Sequence, residues 1–99
     1  MKSAFIGKYV IVRTQSAGVH AGTLIAKSGS EVRLSQSRRL WKWMGALTLS
    51  ELAELGTSNP TGCKFSIPLE NIEVLGVLEI IPCSKTATLS ITGVPEWTL

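Results

Sequence analysis

At 99 residues, 44% hydrophobic and 17% charged, the chain is sized for one globular domain over residues 1–99, which excludes a disordered chain and a multidomain one. The charge is unevenly placed: residues 1–42 hold eight Lys and Arg against Glu31 alone, whereas residues 43–99 hold Lys64 and Lys85 against six Glu. Such a split suits an anionic partner or head-to-tail contact between copies, and self-association would help so short a chain bury apolar surface.

Lys8 to Thr14 is rich in β-branched residues and predicts a first strand, with Val10 and Val12 on one face and Tyr9, Ile11 and Arg13 on the other. Gln15 to Gly18 predicts a turn, Val19 to Ala26 a second strand, and Lys27 to Ser30 a tight connection. Glu31 to Ser35 alternates with Val32 and Leu34 inward. The stretch Arg38-Arg39-Leu40-Trp41-Lys42-Trp43 follows. As a strand it would put Arg39, Trp41 and Trp43 on one face and Arg38, Leu40 and Lys42 on the other.

Thr48 with Glu51 three residues on predicts a capped helix that stops at Gly56, with Leu49, Leu52, Ala53 and Leu55 as its apolar stripe. Thr57 to Lys64 is loop, Phe65 to Ile67 a brief strand, and Ile72 to Ile81 one long strand with a bend at Gly76. Ser84 to Ile91 is divided between a Ser-capped helix and the extended preference of Thr86, Thr88 and Thr92; helix is preferred, ending at Gly93, with Trp97 tying down the tail. The expected class is mainly β (α+β): a small antiparallel β-barrel or sandwich with one or two short helices.

No segment has the length and apolarity of a membrane span, and the first eight residues do not form a secretory signal, so the cytosol is the expected address and Cys63 and Cys83 are expected as reduced thiols. The chain has one histidine and no aspartate, no Gly-rich phosphate loop and no patterned metal set, so no cofactor is expected and the chain is read as no enzyme. Cys63 beside Lys64 reads as a small buried residue before it reads as a reactive thiol.

The binding candidates are Arg13, His20, Arg38, Arg39, Trp41 and Trp43. Guanidinium groups bind phosphate bidentately and tryptophan faces stack on bases. His20, between Gly18 and Gly22, reads either as an edge histidine or as a donor to an anionic ligand. The tryptophans read either as a core or subunit wall or as a stacking surface.

Seven segments together resemble a family of small tailed-bacteriophage proteins known as a domain of unknown function: Tyr9 to Thr14, Ser16 to Gly22, Arg38 to Trp43, Gly45-Ala46, Leu49 to Ala53, Cys63 to Phe65 and Val94 to Trp97. The chain departs from that pattern at Lys42, where an aromatic is expected, and in Thr86 to Thr92, where charged helix formers are expected. The resemblance implies a viral accessory protein in the host cytoplasm. By analogy with phage sponges, it would be a homo-oligomer sequestering a small anionic nucleotide signal and so antagonising host defence. The alternatives are a DNA- or RNA-binding barrel and a structural or protein-interaction component.

Overall fold

The computed structural model describes residues 3–99. Its elements are β1 (Tyr9–Thr14), β2 (Val19–Ser28), β3 (Glu31–Lys42), α1 (Leu49–Leu55), β4 (Lys64–Phe65), β5 (Leu69–Val74), β6 (Val77–Pro82) and α2 (Lys85–Gly93). One six-stranded antiparallel sheet runs β4-β3-β2-β1-β6, and β5 pairs with the first half of β3. The mainly β class with two helices holds, but the sheet does not close into a barrel.

The predicted strand over Ile72 to Ile81 is two strands. The chain reverses at Leu75-Gly76, so β5 pairs with β3 at one end of the sheet and β6 with β1 at the other. A two-residue link between opposite ends requires the sheet to curl. It curls around Val10, Val12, Leu24, Val32, Leu34 and Val74, a core built without helices. The outer face carries Ile11, Ala21 and Leu40, which pack against Leu52 and Ala53 of α1, Ile91 of α2, and Phe65. The central strands are therefore buried on both faces, which is why β1 reads as an almost continuous apolar run.

Glu51 N donates to Thr48 Oγ1 at 3.1 Å, and Leu47 N donates to Glu51 Oε2 at 3.3 Å, so the predicted cap forms. Leu52 and Ala53 enter the core, whereas Leu55 at the end of the predicted stripe is exposed. Ser84 caps α2, with Ala87 N donating to its Oγ at 3.0 Å, and that hydroxyl donates to Glu54 O, joining the two helices. Thr88 and Thr92 donate to the carbonyls four residues earlier, which lets threonines of extended preference remain in a helix. Among the described residues no helix is long and apolar enough to cross a membrane.

Candidate functional site

The site begins with a β-bulge. Ala21 pairs with Arg38 and Thr23 with Ser35, so Gly22 alone faces both Gln36 and Ser37. Gln36 takes a left-handed φ of 51°. A Cβ on Gly22 would lie 2.9 Å from Ser35 O and 3.0 Å from Ser37 Cα, so only glycine lets β3 press this closely onto β2. The extra residue inverts the alternation. Val32 and Leu34 point into the curled core, but after the bulge Arg38 and Leu40 point to the helices, and Arg39 stands opposite His20 on the curled side.

His20 is not an edge residue: it sits in the second strand, only 2% exposed. Its Nε2 lies 2.8 Å from Ala17 O. A carbonyl can only accept, so Nε2 carries the proton and Nδ1 is an acceptor. Burial lowers the His20 pKa below the ordinary histidine value, and the Arg39 charge adds to this against the opposing bond to Ala17. His20 is thus a neutral ring whose proton is already given to the backbone, where the sequence suggested a donor to an anion. Ala17 O also accepts from Arg39 Nη1 at 3.0 Å, which fixes the guanidinium beside the β1–β2 turn.

The four arginines have four different surroundings. Arg13 Nε donates to Glu79 Oε1 at 2.8 Å across β1 and β6. Arg33 lies 3.9 Å from Glu73. Arg38 is 3% exposed and donates to Ser66 O at 2.8 Å and Ile91 O at 2.7 Å, with Phe65 O and Pro95 O at 3.4 Å. It is a staple between β3, the loop after β4, the end of α2 and the tail, and its charge suits a helix C-terminus. Arg39 alone is both exposed and without a carboxylate partner among the described residues.

Arg39 lies between two clefts. One, of about 490 Å³, is lined by the Gln15 to Ala17 turn, His20, Arg39 and Ile72 to Gly76. The other, of about 190 Å³, is lined by His20, Ser37, Arg39, Ser66, Ile67 and Ile72. Ser66 and Ile67 also wall a third, of about 400 Å³, which contains Trp97. Trp97 is 49% exposed and stacks on Trp41, itself 66% exposed, with ring centroids 6.1 Å apart and 19° between planes. Lys64 Nζ stands 5.0 Å from the Trp97 ring centroid.

Of the six residues chosen from the sequence, His20 and Arg39 therefore share a site, and Trp41 joins it through Trp97. Arg13 and Arg38 are engaged elsewhere. Trp43 lies one residue beyond β3, half-buried against the helix-side core, so the expected pairing of Trp41 with Trp43 gives way to Trp41 with Trp97. Ser37 and Ser66 are not marked by the sequence, and Trp97, expected only to tie down the tail, is not among its binding candidates. A serine on a bulge and a tryptophan over fifty residues away give no local signal. Both cysteines are free thiols, Cys63 inside the core and Cys83 with its pKa pushed up to about 12 by burial. Among the described residues no three His, Cys, Asp or Glu side chains are grouped to hold a metal.

Residues 7–91 match the family described as Domain of unknown function (DUF6948). The chain belongs to that family. His20, Ser37, Arg39 and Trp41 fall within the matched residues, and Trp97 follows them. No curated protein and no solved structure matches the chain.

Proposed function

We propose that this chain is a non-catalytic binding protein that holds a small anionic nucleotide without turning it over. Supporting this reading above all is the grouping of the site: the exposed guanidinium of Arg39, without a carboxylate partner among the described residues, stands in two clefts, and Ser66 and Ile67 of the smaller one also wall the cleft that holds Trp97 of the exposed tryptophan pair. A phosphate fits the guanidinium, and a base fits a tryptophan face, a contact worth about 1–3 kcal/mol. The larger of the two clefts beside Arg39, at about 490 Å³, falls within the roughly 300–1,000 Å³ common for small-molecule sites.

The resemblance to small tailed-bacteriophage proteins supplies the setting for this reading: sequestration of a host nucleotide signal in the host cytoplasm. Self-association belongs to it as well, supported by Leu55 and Leu89, which lie exposed on the two packed helices. A nucleic-acid interface is less well supported, because Arg13 and Arg33 face glutamates and Arg38 is buried, which leaves Arg39 as the one exposed arginine without a carboxylate among the described residues.

Titrating the protein with mononucleotides and cyclic nucleotides while following tryptophan fluorescence tests the reading. Saturable change is expected from Trp41 and Trp97, and it should disappear in Trp41→Leu. A panel that leaves the emission and the melting temperature unchanged overturns it.

A further inference from the structure

We infer that the cleft recognises its nucleotide through one singly charged phosphodiester, with Arg39 as the counter-charge and the Ser37 hydroxyl as second donor, and discriminates against nucleoside di- and triphosphates. The inference rests on the nucleotide reading above and names the ligand class within it.

Ser37 carries the first part. It is 2% exposed, it lines the same 190 Å³ cleft as Arg39, and its Oγ has no hydrogen-bond partner among the described residues. A hydroxyl taken out of water and left unpaired is unfavourable, so the position next to a guanidinium is where a ligand oxygen would complete its bonding. The bulge places it there: the extra residue at Gln36 turns Ser37 toward Gly22, whose missing side chain leaves the space.

Charge carries the second part. Arg39 gives one of its five N–H groups to Ala17 O and keeps the rest for a ligand. His20 adds no charge, since its ring is neutral and its proton is committed to the same carbonyl. The neighbouring cleft includes Glu73, whose charge is opposed by Arg33 only at 3.9 Å. Lys64 stands at the aromatic end, over Trp97. Arg39 is the one Lys or Arg lining these two clefts among the described residues, so one negative charge is matched here and each further charge on a polyphosphate meets Glu73.

Calorimetry on the full chain at about 0.15 M salt, with adenosine and guanosine 3′,5′-cyclic monophosphates and the corresponding 5′-mono-, di- and triphosphates, tests this. For at least one base, the cyclic monophosphate should bind at least about tenfold tighter than the triphosphate. Ser37→Ala should weaken the cyclic ligand roughly fivefold at an undiminished urea midpoint. A triphosphate that binds equally or more tightly overturns the single-charge inference and leaves the nucleotide reading standing. Absence of binding by every member overturns both.

Discussion

Replacing Arg38 by methionine separates a structural arginine from a ligand-binding one. Its two short bonds, to Ser66 O at 2.8 Å and Ile91 O at 2.7 Å, are charge-assisted and contribute about 1.5–3 kcal/mol each. The two contacts at 3.4 Å add little. The Arg38 guanidinium carbon lies 5.5 Å from the Phe65 ring centroid, and a methionine of similar reach fills much of that volume, so the substitution removes donors without opening a large cavity. Removing the guanidinium recovers part of the cost of burying a charge, but it leaves buried carbonyls without donors. The net loss expected is about 2–4 kcal/mol, a large share of the roughly 5–15 kcal/mol that holds a domain folded. Urea unfolding followed by circular dichroism should show the midpoint falling by roughly 1–3 M at unchanged slope. Arg38→Lys, with charge but without the fork, should fall between the two. A methionine variant within about 0.5 kcal/mol of the parent would refute the assignment and return Arg38 to the ligand candidates.

Gly45→Ala should destabilise by about 3 kcal/mol or more in the same urea assay, because φ is +77° and the new Cβ would lie 2.5 Å from Asn59 N and 2.7 Å from Ser58 N; a loss under about 1 kcal/mol would contradict the close approach of Gly45 to the Ser58-Asn59 backbone. Thr48→Ala removes the acceptor for Glu51 N and should cost about 1 kcal/mol, with Thr48→Ser restoring most of it. The folded-state pKa of His20 is lowered, so the unfolded chain binds the proton more readily. Stability is then fully present above the unfolded value near 6.5 and is lost as pH falls through the folded one. His20→Gln should flatten that acid limb in thermal unfolding between about pH 7 and pH 5, and an unchanged limb would show that His20 does not cause it.

The strands of the first half were legible because β-branched residues and turn glycines mark them locally. Both helices were legible from their caps, Thr48 and Ser84. The split between β5 and β6 was not, since Leu75-Gly76 interrupts an otherwise continuous apolar run and a bend looks the same as a reversal. Barrel closure depends on pairing between β5 and β6, which no local pattern reports. The site was half legible. The two-residue period correctly separates Arg38 from Arg39, but it takes no account of the extra residue at Gln36, which decides that Arg39 and not Arg38 shares a face with His20. Period alone also pairs Trp41 with Trp43. The strand ends at Lys42, and the stacking partner comes from the tail, held by Trp97 N donating to Phe65 O at 2.9 Å. Residue type likewise makes four arginines equal, whereas glutamates distant in sequence face Arg13 and Arg33 and a set of backbone carbonyls holds Arg38 buried.

That inequality among the arginines is open to a direct comparison by calorimetry: Arg39→Gln beside Arg13→Gln, each titrated with the tightest nucleotide of the panel. Losing a charge-assisted contact of about 1.5–3 kcal/mol should weaken binding by roughly ten- to a hundredfold in Arg39→Gln. Arg13→Gln, which gives up only an exposed pair with Glu79, should bind within about twofold of the parent. Full affinity in Arg39→Gln, or its loss in Arg13→Gln, would contradict the placement of the anion site in the His20, Ser37 and Arg39 cleft.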